Sequence, residues 1–467
     1  MTGTAGENFY LRGNFAPVEE EVSAADLPVT GVLPRELNGR YLRIGPNLRT
    51  PVDTATYHWF TGPGMVHGIR LRDGRAEWYR SRFVQGGDGA PVDGGPPKSN
   101  ADGAPNTNVF CHGGRILAVD EGGRAPIQLT PDLGGMAVWD CDGALGRGFA
   151  PHPKTDPETG DLHAVTYHTE SATVRHLVLD RDGTATHTTD IAVDDVPLMH
   201  DMALTRTRVI VFDLPVTPAA GLRRARSGNA PTNLPMMWDE QHPSRIGLLP
   251  IGAAGDRIQW IDVPRCFVFH VLNAYDDPDG SVTLDVVRYD AVFRTDMNGP
   301  GDTVPKLVRW TVNPATGTTD EQTICSYGVE FPRIDASLTG RRHRYGWFAG
   351  VGEHGVAITD DVERRYTRDG FETGPLVKVD TVTGRSEISH YGPGRVTMEP
   401  EFVPRPGAQE EDDGWIMSVV HDGNTDRAEL VILDAADITA APIARVHLPN
   451  RVPFGFHGNW VDDRDIA

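Results

Sequence analysis

Residues 307–323 read LVRWTVNPATGTTDEQT. Apolar and polar residues alternate on either side of a Thr-Gly turn, the pattern of two short strands folded into a hairpin. Residues 376–392, LVKVDTVTGRSEISHYG, repeat that shape almost residue for residue. Residues 67–81 (HGIRLRDGRAEWYRS) and 175–191 (RHLVLDRDGTATHTTDI) do the same around Asp-Gly turns. Residues 136–145 (MAVWDCDGAL) and 430–449 (LVILDAADITAAPIARVHLP) read as further members. Any antiparallel sandwich has hairpins, but similar copies spread along the whole chain favour radial repetition, and so an all-β propeller. Seven blades in 467 residues would average about 67 each, above the roughly 40 to 50 of common propeller repeats. The surplus is expected in long loops on one face, forming a cap over the axis. No strong linker splits the chain, so residues 1–467 are expected to form a single domain.

The clearest irregular stretch is 214–241, LPVTPAAGLRRARSGNAPTNLPMMWDEQ, which mixes Pro, Arg and an apolar cluster at 234–238. It fits either a piece of the cap, where it would meet lipid or an apolar substrate, or a solvated loop.

Composition narrows the function. A formal net charge of -21 with no basic stripe argues against nucleic acid as a partner. Four cysteines (Cys111, Cys141, Cys266, Cys325) form no CxxC pair, and a chain of this size needs no disulfide staples, so a reduced cytosol is expected. The opening segment MTGTAGENFYLRGNFAPVEEEV lacks the apolar core of a secretory signal. No apolar run approaches the ~18 residues of a membrane span. Peripheral contact with a membrane stays open, and no protein partner is implied.

Among 17 histidines, four have unusual contexts: His152 in APHPKTDPETG, His200 in LMHDMALT, His270 in FVFHVLNAYDD and His457 in VPFGFHGNW. Most histidines bind nothing. His270, however, interrupts a run that should be fully buried, and an unpaired buried imidazole costs a few kcal/mol, so it needs a partner. His457 sits similarly between Phe456 and Gly458. A propeller could bring all four to its axis, where a metal held by neutral imidazoles keeps its full charge. Imidazoles suit zinc, copper and nickel as well as iron. Glu330 in SYGVEFPRID, Glu399 in TMEPEFVPRP and Glu121 after the apolar run 116–119 stand beside apolar residues. Carboxylates so placed fit the partners that metal-bound imidazoles take on their distal N–H.

With these residues the chain resembles the carotenoid cleavage oxygenase family. That family includes apocarotenoid oxygenases, plant carotenoid dioxygenases, the retinoid isomerohydrolase of the eye and bacterial lignostilbene dioxygenases. GRYLRIGPN (39–47) and FTGPGMVHGIRLRDG (60–74) resemble its early motifs, and EFVPRPGAQEEDDGWIMSVV (401–420) a later one. The four histidine contexts follow the order of its four iron ligands, and Glu121, Glu330 and Glu399 the order of its three supporting glutamates. The resemblance implies a seven-bladed propeller with one Fe(II) per chain on its axis. It also implies a mostly helical cap and an apolar tunnel, for which Trp59, Phe269, Phe331 and Phe456 are lining candidates. The expected activity is oxidative cleavage of a C=C bond in a carotenoid or apocarotenoid by O2, giving two carbonyl products. No side chain need then act as a general base.

Two departures bear on this. Pro63 stands between the glycines of the FxGxGM motif, where the family usually has an acidic residue. Asp120 stands where lignostilbene-type members carry a Lys that meets a phenolic oxygen, and an aspartate would repel a phenolate. This shifts the expected substrate toward apocarotenoids and away from stilbenes. Three rival readings remain: a stilbene-cleaving dioxygenase, retinoid-ester chemistry as in the eye enzyme, and a metal-free propeller scaffold.

Overall fold

Alternating apolar and polar residues, punctuated by Gly and Asp turns, fold into seven antiparallel sheets of four or more strands among the described residues. The computed structural model describes residues 8–49, 54–85, 104–121, 125–145, 149–167, 173–228, 232–297, 299, 302–351 and 374–466. Each sheet is one blade of a seven-bladed β-propeller. Blade 1 pairs Gly39–Pro46, Gly64–Arg72 and Arg75–Phe83, with Ser23–Ala25 at its outer edge and Gly458–Asp462 at its inner edge. Blade 2 comprises Asn108–His112, Arg115–Val119, Ile127–Leu129 and Met136–Val138. Blade 3 comprises Lys154–Thr155, Leu162–Tyr167, Thr173–Leu179 and Ala185–Ala192. Blade 4 comprises Ala203–Leu204, Arg208–Asp213, Arg245–Pro250 and Gln259–Asp262.

Blade 5 comprises Phe267–Asp276, Val282–Tyr289, Lys306–Asn313 and Thr318–Cys325, and blade 6 Val329–Arg333, Tyr345–Gly350, Leu376–Asp380 and Ser386–Ser389. Blade 7 has a split inner strand, Arg395–Thr397 and Glu401–Pro404, followed by Gly414–Asp422, Arg427–Asp434 and Ala444–His447. Val29–Gly31 adds its outermost strand.

Both chain ends close the ring. Gly458–Asp462 pairs with Gly39–Pro46 from Gly39↔Asp462 to Arg43↔Gly458, and Val29–Gly31 pairs with Ala444–His447 from Val29↔Val446 to Gly31↔Ala444. The strands that start the blades lie side by side, as in Phe267–Asp276 against Val329–Arg333, and Gly458–Asp462 against Asn108–His112. Middle strands are buried on both faces, so apolar cores fill the wedges between neighbouring blades. Each fully buried Val, Leu or Phe there contributes roughly 1.5–3 kcal/mol.

Four of the expected hairpins form as read, at 64–83, 173–192, 306–325 and 376–389. Residues 136–145 do not: only Met136–Val138 is a strand, the outermost of blade 2. Cys141 and Asp142 then take positive φ in a turn, and the chain moves on toward blade 3 instead of returning. Residues 430–449 do contain two paired strands, but a loop over 435–443 joins them, not a tight turn.

Little of the expected helical cap falls within the described residues. Among the described residues the only α-helix is Pro218–Arg226, within the irregular 214–241 stretch. Thr217 caps it by accepting from the Ala220 N–H at 3.1 Å, and Pro218 opens its first turn. The other described segments beside it are loops, a 3-10 turn at Trp59–Thr61 and the short strand pair of Val216–Thr217 with Met237–Trp238. Asn233 ties two of these segments together. Its N–H donates to the Thr56 carbonyl at 2.7 Å, and its side-chain oxygen accepts from the His58 N–H at 2.9 Å.

Candidate metal centre

The four singled-out histidines come from four blades. His152 and His200 sit in the segments leading into the first strands of blades 3 and 4. His270 lies within the inner strand of blade 5, and His457 immediately precedes the inner strand of blade 1. A close backbone approach sets the last one. A Cβ on Gly45 would lie 2.4 Å from the Gly455 Cα, and one on Gly455 would lie 2.8 Å from the Gly45 Cα. Only glycine at both positions lets the two backbones touch. Ile44 and Phe456–His457 then exchange backbone hydrogen bonds at 3.0 Å, which fixes the backbone that carries His457.

The four imidazoles converge. Nε2 of His152 lies 3.0 Å from Nε2 of His200, which lies 3.2 Å from Nε2 of His270, which lies 3.2 Å from Nε2 of His457. One ligand atom of each histidine lies within 4.8 Å of all the others, and no further His, Cys, Asp or Glu of the described residues joins them. With metal–nitrogen bonds of about 2.1 Å, adjacent corners of an octahedron are ~3.0 Å apart and those of a tetrahedron ~3.4 Å. The observed spacings fall within this range.

Three carboxylates settle which nitrogens carry protons. Nδ1 of His270 donates to Glu330 at 2.5 Å and Nδ1 of His457 to Glu399 at 2.8 Å; Nδ1 of His200 donates to Glu121. In the neutral rings this leaves the Nε2 atoms with lone pairs that face each other across the axis. Such an arrangement repels itself unless a cation lies between, so the donor set fits a divalent transition metal. The carboxylates outside it supply the countercharge. Each comes from another blade than its histidine: Glu121 follows the second strand of blade 2, Glu330 is in blade 6 and Glu399 in blade 7.

The electrostatics follow from burial. Burial, helped by the other three imidazoles, holds His152 well below the usual histidine range. Burial likewise pushes His457 down to about 3, against the pull of Glu399. His270 is also buried, but Glu330 outweighs that and raises it. Burial would raise Glu399, yet Arg333 and His457 overcome it and hold the carboxyl well below its usual range. Metal binding requires deprotonated imidazole nitrogens, the state that burial favours at His152 and His457.

The sequence did not reveal the supports of these glutamates. Tyr167 donates its hydroxyl to Glu121, and Tyr289 donates to Glu330 at 3.0 Å. Glu330 also accepts the Phe331 N–H at 2.6 Å. Arg333 donates to Glu399 at 3.1 Å and to the Asn459 side chain at 3.1 Å. Asn459 continues to Asn108, which donates to the Pro151 carbonyl at 2.7 Å, next to His152. Among the described residues no carboxylate pairs with His152 itself.

Of the expected apolar lining, Phe269 and Phe331 adjoin the imidazoles. The Phe269 ring lies 5.4 Å from that of His200, and the Phe331 ring lies 5.4 and 5.3 Å from those of His270 and His457. Phe331 takes φ 54° at an irregularity in the blade 6 ladder, which turns its ring toward the axis. Trp59 and Phe456 pack on each other at 4.5 Å, one layer farther out. Phe60, which the sequence reading passed over, links Phe456 to Phe269. Asp120 is buried and accepts from the Thr107 hydroxyl at 3.2 Å; Pro63, the other departure, accepts from the Asn47 N–H at 2.7 Å.

Comparison with known proteins agrees with this arrangement. Residues 15–462 match the family described as retinal pigment epithelial membrane protein. A carotenoid cleavage oxygenase of Mycobacterium tuberculosis is 40% identical, over 97% of this chain and 97% of that protein. A carotenoid 9,10(9',10')-cleavage dioxygenase of Phaseolus vulgaris is 31% identical, over 98% of this chain and 90% of its own. Among solved structures, the lignostilbene dioxygenase of Pseudomonas brassicacearum superposes with a TM-score of 0.88 at 25% identity, covering 98% of this chain and all of that one.

Proposed function

The chain belongs to the retinal pigment epithelial membrane protein family, that of the carotenoid cleavage oxygenases, and from that premise we propose its activity. It is a non-haem Fe(II)-dependent dioxygenase that cleaves a C=C bond of a carotenoid or apocarotenoid to two carbonyl products. Residues 1–467 act as one domain in doing so. The single observation that carries this reading is the convergence of four Nε2 atoms, three of them backed by buried or half-buried glutamates.

His152, His200, His270 and His457 hold the ion, and Glu121, Glu330 and Glu399 fix the rings and raise their basicity. Imidazoles alone do not select iron over zinc, copper or nickel; the choice of iron rests on kinship. When bound, ferrous iron supplies the activation of dioxygen that an alkene cannot achieve alone. Phe269 and Phe331 flank the imidazoles and offer apolar faces to a polyene, with Phe60, Phe456 and Trp59 behind them. They position the double bond and exclude water. In the overall change one oxygen atom goes to each alkene carbon and the C=C bond breaks. No proton is gained or lost, so no side chain is needed as acid or base.

Asp120 disfavours a phenolate near Glu121, which supports a polyene over a 4-hydroxystilbene. The structural likeness to a lignostilbene dioxygenase favours the stilbene as the second reading. The proposal includes a cytoplasmic location; no helix of the described residues is long and apolar enough to cross a membrane. A peripheral membrane contact would fall at Pro218–Arg226, where Leu222 is exposed beside three arginines of the last turn.

The test is anaerobic Fe(II) loading followed by a product screen by mass against apocarotenals, carotenoids and 4-hydroxystilbenes. Two carbonyl fragments from a polyene, formed only with iron and O2 and labelled by 18O2, are expected. Cleavage of stilbenes alone would replace the substrate assignment. No cleavage of any alkene by iron-loaded protein would overturn the activity.

A further inference from the structure

His152 is the one imidazole of the four without a carboxylate among the described residues, and Lys154–Thr155, the strand that follows it, has only two residues. So short a ladder does little to hold the segment, and something else must. Two residues past His152, the Lys154 ammonium lies 2.8 Å from Asp201, the residue after His200. The same Asp201 carboxylate accepts the N–H of Val271, the residue after His270, at 2.8 Å, and the N–H of Met202 at 2.7 Å. Its side chain is 2% exposed, while that of Lys154 is 22% exposed.

We propose that Asp201 is a positioning residue for the metal centre: with Lys154 it locks the segments bearing His152, His200 and His270 into one register. This rests on the reading of those histidines as metal ligands. One carboxylate, itself next to His200, contacts Lys154 near His152 and Val271 next to His270, and so joins blades 3, 4 and 5. A buried ion pair adds little net stability, because desolvation offsets the attraction, so the fold alone gives a weak account of it. What the pair does supply is direction. Charge-assisted contacts to the Lys154 Nζ and to the Val271 N–H set the spacing between segments that no strand ladder joins, while the local Met202 N–H holds the carboxylate in place. Metal sites tolerate little slack, and partners outside the ligand set typically shift metal affinity about 10- to 100-fold.

The test uses Co(II) as a probe of the metal-free protein, read by the affinity and by the visible ligand-field spectrum. The variants are Asp201→Asn, Lys154→Met and the double, with unfolding temperature of the metal-free forms measured alongside. Asp201→Asn keeps an acceptor for one backbone N–H while losing the charge; Lys154→Met touches no backbone bond and covers the case in which the first variant fails to fold. Each single variant is expected to bind Co(II) about tenfold more weakly, with an altered spectrum, while its metal-free form still unfolds cooperatively, at a lowered temperature in Lys154→Met because the buried Asp201 carboxylate loses its counter-ion. The double is expected to be no weaker than the worse single, because both changes break one pair. Parental affinity and spectrum in Lys154→Met would overturn the proposal, as would losses that multiply in the double. Failure of the parent to bind Co(II), or parental binding by His270→Ala, would instead refute the metal centre itself and this inference with it.

Discussion

Glu330→Gln isolates the contribution of charge to the metal site. Glu330 is 1% exposed and accepts three hydrogen bonds, from His270 Nδ1, the Phe331 N–H and the Tyr289 hydroxyl. Alanine would strand all three donors at about 1–3 kcal/mol each, a loss comparable to the whole stability of many domains. Glutamine is nearly isosteric. Its oxygen can keep the two N–H groups, and its amide can donate to the Tyr289 oxygen once that hydroxyl turns. What disappears is the negative charge behind His270, and with it the added basicity of Nε2. The expected loss is ~10- to 100-fold in metal affinity, or about 1.4–2.8 kcal/mol. The metal-free variant should unfold within a few degrees of the parent. Competition titration of Fe(II) or Co(II) measures the first quantity and thermal denaturation the second. An affinity within twofold of the parent would refute the role given to the carboxylate. A collapse of metal-free stability would show that Glu330 serves the fold more than the site.

His270→Ala or His457→Ala should abolish metal retention, checked by elemental analysis after desalting; iron content equal to the parent's would count against either as a ligand. Deleting residues 458–467 removes the inner strand of blade 1, which pairs with residues 39–43, and should leave aggregated or metal-free protein, checked by solubility and metal content. Gly455→Ala places a methyl against the Gly45 backbone and should weaken metal binding by moving His457, whereas Gly407→Ala, which strains a φ of 79° but meets no neighbour, should leave metal binding unchanged. His58 and His67 are each pushed down to about 3, chiefly by burial, against about 6.5 in the unfolded chain. Between those values the unfolded state takes up protons that the folded state refuses. Stability is therefore complete above pH ~6.5 and falls as pH drops toward 3, by up to about 1.4 kcal/mol per pH unit for each histidine. His67→Gln should flatten the decline in unfolding temperature between pH 6 and pH 4, and an unchanged slope would show that His67 is not among its causes.

The propeller was legible because its hairpins obey a local rule: alternation around a Gly-containing turn, as in residues 307–323. The rule failed at residues 136–145 because a turn signal does not reveal whether the chain returns or moves on. The histidines were legible because His270 and His457 break apolar runs, a cost that demands a partner. Their partners were harder to see. Glu121 and His200 are 79 residues apart, and Arg333 and Glu399 are 66 apart, so nothing local links them. Tyr167 and Tyr289 read as ordinary strand aromatics until their hydroxyls meet carboxylates. Asp201 and Lys154 each adjoin or nearly adjoin a singled-out histidine, a signal present in HPK and HD, but their mutual contact needs the ring to close. The helical cap came from the resemblance alone, and of it the described residues show Pro218–Arg226.

X-ray absorption at the iron edge of protein loaded anaerobically with Fe(II) addresses the centre of this account, the grip of four imidazoles on one ion. About one iron per chain, surrounded by nitrogen at ~2.1–2.2 Å with the outer-shell scattering of several imidazole rings and no sulfur, is the expected result. Iron that washes away from intact protein, or a shell dominated by oxygen or sulfur, would contradict it.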